Sequence, residues 1–265
     1  MNRPSRIVTP LLVLMLMIAG AVVAGASPSP DPKKKKKKQA QTDPLLAQSL
    51  MRQAYVFMQQ QRYEEALERF READAANPGN ATVYNMVGLC YLSMEQLDKA
   101  LENFDTALGM IPGFTDARNN RGTTYLALEQ YRLAEVDFIA VLSDSTYPHR
   151  WKVFYNLGLT YLGRGQVGAA EENFRKAITA QVPVFEAYLR LAEIAVAQDR
   201  PDSALGLLEE ARLKYPERLD GILAYGRLLI DVGRPDEARP YLEDVIASDP
   251  GSPLATEARM LLGLP

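Results

Sequence analysis

The sequence is poor in the residues that build metal sites, disulfides and most catalytic centres. Its 265 residues include one cysteine, Cys90, and one histidine, His149. A single cysteine excludes an intramolecular disulfide, and these two residues fall short of the four ligands of a structural zinc site. The sequence also contains no glycine-rich phosphate loop and no nucleophile elbow. We therefore expect no metal, no cofactor and no enzymatic activity.

The charges are divided unevenly along the chain. Residues 1–41 contain eight of the 30 basic residues and one of the 33 acidic residues, which leaves 22 basic and 32 acidic residues in 42–265. The net charge of that larger part is therefore −10. Because such a surface repels a phosphate backbone, we do not expect nucleic acid as a ligand.

The amino-terminal segment has the pattern of an export signal. Arg3 and Arg6 precede an uncharged apolar run, and the small residues at 24–26 suit cleavage by a signal peptidase. The run over 7–26 is also long enough to span a bilayer as an uncleaved anchor. We predict that 1–26 is a signal peptide or a membrane anchor.

A proline- and lysine-rich segment follows over 27–43, and its composition predicts a disordered linker. Its six lysines, Lys33–Lys38, are either a solvated spacer or a contact with an anionic surface, where each contributes about 1 kcal/mol. Lysines normally flank the cytoplasmic end of a membrane segment. An uncleaved anchor would therefore place the rest of the chain in the cytoplasm, whereas a cleaved leader would export it towards the periplasm of a bacterial envelope. The sequence leaves both alternatives open.

From residue 47 onward the sequence repeats with a period of 34 residues. Each unit contains a small residue, then alanine, then an aromatic residue or leucine, then alanine, and most units close with a proline. Two successive copies are Ala54, Ala66, Phe70, Ala73 and Pro78, then Gly88, Ala100, Phe104, Ala107 and Pro112. The six units are 47–80, 81–114, 115–150, 151–184, 185–218 and 219–252, the third being two residues longer.

The residue types in this repeat predict paired helices. Glycine and alanine let two helices approach closely, the aromatic side chains fill the space between pairs, and the prolines end the second helices. Leucines at helical spacing in 253–265 predict a capping helix. No segment shows a useful alternation with period two, so we expect no strands and an all-α chain.

Six copies in register resemble the tetratricopeptide-repeat (TPR) family over 47–252. The resemblance implies a right-handed superhelical solenoid of six helix hairpins plus a C-terminal capping helix over 44–265. Repeat three departs from the family pattern, because Arg118 and Arg121 stand where large apolar residues are usual. We expect this departure to affect local packing.

In TPR proteins the first helix of each hairpin lines a concave groove that binds protein. Carried over to this sequence, the groove residues are Met51, Tyr55, Asn85, Leu89, Asn119, Thr123, Tyr155, Leu159, Leu189, Glu193, Leu223 and Arg227. Most are apolar or aromatic, which suits an extended or helical peptide, and asparagines suit the peptide backbone. We expect part of this set to be packing core, since a stripe at helical spacing usually is.

The stretch over 147–158 resembles a junction in bacterial type IV pilus biogenesis and stability proteins of the pilotin group. The resemblance rests on Tyr147-Pro148 and Asn156-Leu157-Gly158. It implies a periplasm-facing scaffold that helps an outer-membrane secretin assemble or stay stable. Members usually carry a lipid-modified cysteine after the leader, and this sequence has none. The alternatives are another envelope assembly scaffold and a cytoplasm-facing anchored adaptor with an unrelated partner.

Overall fold

A computed structural model of the protein describes residues 42–180 and 184–264. The predicted leader over 1–26, the linker up to residue 41 and Lys33–Lys38 lie outside this part of the chain. Helices account for all regular structure in the two ranges, and no strand occurs in them. The prediction of an all-α chain is confirmed.

The two ranges contain thirteen α-helices. They are α1 (Pro44–Gln59), α2 (Tyr63–Ala76), α3 (Ala81–Ser93), α4 (Leu97–Met110), α5 (Thr115–Ala127), α6 (Tyr131–Ser143), α7 (Arg150–Gly163), α8 (Val167–Ile178), α9 (Phe185–Ala197), α10 (Pro201–Lys214), α11 (Leu219–Asp231), α12 (Pro235–Ser248) and α13 (Pro253–Leu262). Each odd-numbered helix from α1 to α11 packs against the next helix as a hairpin, and α13 packs on α12. The result is a right-handed TPR solenoid of six hairpins with a C-terminal helix.

The helix ends follow local signals in the sequence. The side chain of Asp43 accepts a hydrogen bond from the backbone N–H of Leu46 at 2.9 Å, and Pro44 occupies the first turn of α1. The prolines at 78, 112, 216 and 250 each lie two residues beyond the end of a second helix. Because proline has no backbone N–H to donate, it cannot continue the hydrogen bonds of the helix that precedes it.

The turn inside every hairpin places one residue in the left-handed conformation, with φ between +57° and +79°. These residues occupy the same position of all six repeats and are Gln61, Glu95, Glu129, Gly165, Asp199 and Gly233. A residue with a Cβ pays about 1–2 kcal/mol for this conformation, which glycine adopts freely. Four of the six turns therefore hold backbone strain that the hairpin packing must offset.

The two helices of a hairpin approach most closely at the small residue of the first helix. In the fourth hairpin a Cβ built on Gly158 would lie 2.4 Å from Cε1 of Phe174, whose ring is fully buried. The alanine on the second helix is fully buried in all six hairpins, at Ala66, Ala100, Ala134, Ala170, Ala204 and Ala238. The small residues thus set the spacing of the helices, and the aromatic rings fill the seam between them.

Repeat three joins its helices by an ion pair. The guanidinium of Arg121 on α5 donates to both carboxylate oxygens of Asp137 on α6, at 2.7 and 2.8 Å, and to Asp105 on α4 at 2.6 Å. Asp137 is only 1% exposed. The corresponding residues of repeat five, Leu191 and Leu207, are buried and apolar. Repeat three thus replaces an apolar contact between its helices by an ion pair of Arg121 with two carboxylates.

The two extra residues of repeat three lie in the connection between α6 and α7. Tyr147 turns into the core, and burial raises its pKa to about 12. Arg150 closes the loop by donating to the backbone carbonyls of Leu142 and Asp144, at 2.7 and 2.9 Å. The insertion is therefore accommodated between hairpins, where extra residues cost little.

Candidate protein-binding groove

The odd-numbered helices form the inner side of the solenoid. In the middle of the solenoid, successive odd-numbered helices contact each other directly, α3 with α5 and α5 with α7. Within the described ranges, no two even-numbered helices make a comparable contact. Elements on the inner side of a curve lie closer together than those on its outer side. The concave groove therefore runs along the first helices of the hairpins.

An apolar pocket of about 450 Å³ opens at the amino-terminal end of this side, between α1 and α3. Two of the predicted groove residues, Met51 and Tyr55, line it, and Tyr55 is more than half exposed. Val56 and Met86 add apolar walls, and the buried ring of Phe70 lies at the base. Such a pocket suits one or two large apolar side chains of a partner.

Sequence reasoning missed several residues of this pocket. Val56 lies one residue after Tyr55 in α1, and Thr82 and Met86 lie in the first and second turns of α3. None of the three is at a position carried over from the family. The available signal was that Val56 is apolar. It occupies the position in repeat one that Cys90 occupies in repeat two, where Cys90 is fully buried and Val56 is exposed. Within the described ranges no hairpin precedes the first one to cover that side.

Polar residues in the middle of the groove bond to each other across neighbouring repeats. The side-chain amide of Asn120 donates to Oδ1 of Asn85 at 2.9 Å, and that of Asn156 donates to Oγ1 of Thr123 at 3.3 Å. Asn85 is also only 2% exposed. It therefore joins repeats two and three. The expectation that its amide is presented to the backbone of a partner was wrong.

The other predicted residues divide into three groups. Leu223 is 2% exposed and belongs to the core, as expected for part of the set. Partly exposed positions on the inner side are Leu89, Asn119, Thr123, Tyr155, Leu159 and Leu189. Glu193 and Arg227 are exposed but engaged in ion pairs with Arg190 and Glu257. The groove is therefore apolar near its amino-terminal end and charged near its carboxy-terminal end.

The titratable residues in the described part provide no catalytic arrangement that we recognise. Burial raises the pKa of Cys90 to about 12, so its thiol stays protonated and unreactive at neutral pH. His149 contacts the rings of Tyr147 and Trp151 edge-on, at centroid distances of 5.8 and 6.5 Å. No group of three or more histidine, cysteine, aspartate or glutamate residues in 42–180 and 184–264 is arranged to hold a metal ion.

A family model of the tetratricopeptide repeat matches residues 40–81, 51–113, 119–183 and 155–218, and a second model of the same repeat matches 195–262. The chain therefore belongs to the tetratricopeptide-repeat family, whose fold is generally a non-catalytic scaffold that binds protein partners.

Solved structures with the same architecture include a type IV pilus biogenesis factor. PilW, described as a widely conserved type IV pilus biogenesis factor, superposes with a TM-score of 0.70 at 23% identity, covering 79% of this chain and 96% of PilW. PilF of Pseudomonas aeruginosa gives 0.68 at 20%, covering 82% and 97%. A TPR protein from Parabacteroides merdae gives 0.61 at 19%, covering 83% and 85%. At these identities the likeness is one of fold.

Among curated proteins, tetratricopeptide repeat protein 8 of Mus musculus is 27% identical over 99 residues. The match covers 37% of this chain and 19% of that protein, so the shared part is about a fifth of the relative's length. Among the described helices, none has the length and apolar character needed to cross a membrane.

Proposed function

We propose that this protein is a non-catalytic scaffold that holds an apolar segment of a partner protein in its concave groove. The pocket between α1 and α3 is the observation that carries the proposal, because it is open and Met51, Tyr55, Val56 and Met86 make its lining mostly apolar. Tyr55 at its rim offers a large aromatic surface of the kind that dominates binding energy at protein interfaces.

We further propose that the scaffold works in the bacterial cell envelope and helps an outer-membrane secretin of the type IV pilus assemble or stay stable. The export pattern of 1–26 supports an envelope location. The fold likeness to PilW and PilF extends over nearly the whole of both proteins, which supports the pilus role. In this location Lys33–Lys38 would meet an anionic surface.

The partner is tested by copurifying the secretin with the tagged full chain from its native host. Tyr55→Glu is expected to remove most of the secretin, because a charge in the apolar pocket cannot be solvated once the partner covers it. Leu89→Glu combined with Leu159→Glu tests the middle of the groove in the same way. The control is Leu213→Glu, which changes an exposed leucine of α10 outside the predicted groove set.

Loss of the secretin in the groove variants, with retention in the control, would support the proposal when circular dichroism shows unchanged helix content. Copurification that survives Tyr55→Glu and the double variant would refute the groove as the binding site. Absence of the secretin from the purified wild-type complex would refute the pilus role and leave the scaffold role to be tested with another partner.

A cytoplasm-facing anchored adaptor is the second candidate, because Lys33–Lys38 follow the apolar run on the side that normally stays in the cytoplasm. Protease treatment of intact and outer-membrane-permeabilised cells separates the two locations. Cleavage of the repeats after outer-membrane permeabilisation supports the envelope, whereas protection until the inner membrane is opened supports the adaptor. Amino-terminal sequencing of the mature protein then shows whether 1–26 is removed.

A further inference from the structure

Arg52 is the only charged residue of the two helices that form the walls of the apolar pocket. Helices α1 and α3 contain no acidic residue and no other basic residue, and of α2 only Phe70 lines the pocket. Arg52 is exposed and lies on the pocket wall with Tyr55 and Val56, which follow it by three and four residues. At this spacing the Cβ atoms of helix residues are about 5–6 Å apart. The pocket therefore combines an apolar surface with one positive charge.

No residue in the described ranges neutralises this charge. The side chain of Arg52 forms no ion pair, hydrogen bond or ring contact with any residue of 42–180 or 184–264. The nearest acidic residue in the sequence, Asp43, lies about 13 Å away along the helix axis and accepts a hydrogen bond from the backbone N–H of Leu46. On α2, Glu65 and Glu72 pair with arginines three residues earlier in the chain, at 2.7 and 2.6 Å.

Elsewhere in the solenoid the position of Arg52 faces the preceding repeat. The equivalent residues of the other repeats are Met86, Asn120, Asn156, Arg190 and Ala224. The amides of the two asparagines donate to first-helix residues of the repeat before them, at 2.9 and 3.3 Å. In repeat one the described ranges contain no preceding first helix to take this place.

Repeat five shows which group binds an arginine at this position. The guanidinium of Arg190 donates to Oε2 of Glu193, three residues later, at 2.8 Å. Repeat one has Tyr55 where repeat five has Glu193. Arg52 therefore has the same donors without the acceptor. Because a guanidinium that a partner covers must keep its hydrogen bonds, a carboxylate on the partner is the group that matches it best.

We propose that the pocket binds a helix of the partner protein in which an aspartate or glutamate lies one turn from a large apolar residue. The apolar side chain would enter the pocket beside Tyr55 and Val56, and the carboxylate would accept hydrogen bonds from the guanidinium of Arg52. This inference rests on the proposed groove function and adds the charge of the ligand. A helix fits because the equivalent positions of repeats three and four face a first helix.

The carboxylate at the end of a chain fits this pocket less well than a side-chain carboxylate. Chain ends are captured by converging backbone N–H groups. The N–H groups at the pocket belong to α1 and α3, where helix hydrogen bonds occupy them, and that of Thr82 donates to the side chain of Asn80. The single guanidinium is therefore the group that would select the ligand.

The probe is a fluorescein-labelled peptide of about 15 residues, roughly four helical turns, with leucines along one face and glutamates one turn from them. Its ends are acetylated and amidated, and two matched peptides carry glutamine or lysine in place of glutamate. Binding to the full chain is measured by fluorescence anisotropy at low ionic strength. We expect the glutamate peptide to bind about tenfold more tightly than the glutamine peptide, and the lysine peptide to bind most weakly. General attraction to a chain of net charge −3 would give the opposite order.

Variants place this preference at Arg52. Arg52→Gln should give the glutamate and glutamine peptides equal affinity, and Arg52→Glu should make the lysine peptide the tightest ligand. Gln48→Glu supplies a carboxylate four residues before Arg52, which should neutralise the guanidinium and remove the preference. The matched control is Arg132→Gln, which changes an exposed arginine of α6 that also forms no ion pair in the described ranges. This control should keep the preference, and circular dichroism should show unchanged helix content in every variant.

The proposal is overturned if the glutamate peptide does not bind, or binds the wild type no more tightly than the glutamine peptide. A preference that survives Arg52→Gln would assign it to other cations, such as Lys33–Lys38, and would also refute the proposal. So would tighter binding of a glutamine peptide whose end carboxylate is free than of the glutamate peptide. Sedimentation of a dimer that Arg52→Gln dissociates would make a second copy the occupant.

The groove function is judged separately with Tyr55→Glu. Peptides that bind the wild type equally and are lost in this variant would refute the charge preference and leave the groove function standing. Peptides that bind this variant as tightly as the wild type would refute both, because neither would then be held in the pocket.

Discussion

Replacing Gly158 by alanine tests how closely the two helices of a hairpin are packed. The new Cβ would lie 2.4, 2.5 and 2.8 Å from three atoms of the Phe174 ring, whereas carbon atoms normally approach to about 3.5–4.0 Å. The ring is fully buried and packs against Tyr155 at a centroid distance of 5.7 Å, so it has little room to move. Overpacking of this kind costs about 1–3 kcal/mol.

Alanine also favours the helix by about 1 kcal/mol over glycine, and this gain must be separated from the clash. Gly206 provides the control, because it lies inside α10, is exposed, and has no atom within 4 Å of a built Cβ. Gly206→Ala should stabilise the protein by about 0.5–1 kcal/mol. The free energy of unfolding of Gly158→Ala should therefore be lower than that of Gly206→Ala by about 1–3 kcal/mol.

The assay is urea unfolding of the two variants and the wild type, followed by circular dichroism of the full chain. Repeat proteins need not unfold in one step. The urea concentrations at the midpoints are therefore compared only between proteins whose free energy of unfolding has the same slope against urea concentration. Adding Phe174→Leu to Gly158→Ala should recover part of the loss, because repeat five carries an alanine and a leucine at these positions, Ala192 and Leu208. If Gly158→Ala is as stable as Gly206→Ala, the close approach does not set the helix spacing.

Three further predictions use the same unfolding assay. Asp137→Leu should destabilise the protein by about 3 kcal/mol because it leaves Arg121 without its buried partner, and adding Arg121→Leu should restore most of that loss; equal stability of the single and double variants would contradict this. Glu129→Gly should stabilise by up to about 1 kcal/mol, and Gly165→Ala should destabilise by about 1 kcal/mol, because both occupy the left-handed turn position; opposite signs would show that the turns are not strained. Burial raises the pKa of Cys90 from 9.0 to about 12, so the folded protein keeps its thiol proton where the unfolded chain loses it. The free energy of unfolding should therefore fall as the pH rises between these values, and Cys90→Ala should make that fall shallower; an unchanged pH profile would contradict this.

Much of the fold could be predicted because its signals are local or repeat at a fixed spacing. Asp43 and Pro44 mark the start of α1 by the preferences of single positions. The 34-residue period makes each hairpin predict the next, so six weak patterns reinforce one another. The left-handed turn residues were not predicted, because four of the six turns use glutamine, glutamate or aspartate, where sequence offers no glycine to mark them.

The groove was predicted less completely because helical spacing assigns a residue to a face but does not say how deeply it is buried. Met51 lies in an open pocket, whereas Asn85 and Leu223, at the equivalent position of other repeats, are 2% exposed. The difference comes from the neighbouring repeats. The amide of Asn120 reaches back to Asn85, whereas in the described part of the chain no hairpin precedes α1 to cover it.

The sequence by itself determined that this protein is a series of paired helices, because periodic small and aromatic residues allow only close helix packing to bury them. It also determined which repeat differs, since Arg121 has no counterpart of the same charge in the other five. Only the tertiary structure decided what these residues touch. Curvature brings the first helices together and joins Arg121 to carboxylates of two other helices. It also leaves Leu133, Val136 and Ile139 of α6 exposed. Such contacts depend on how successive hairpins are rotated against each other, which no single repeat specifies.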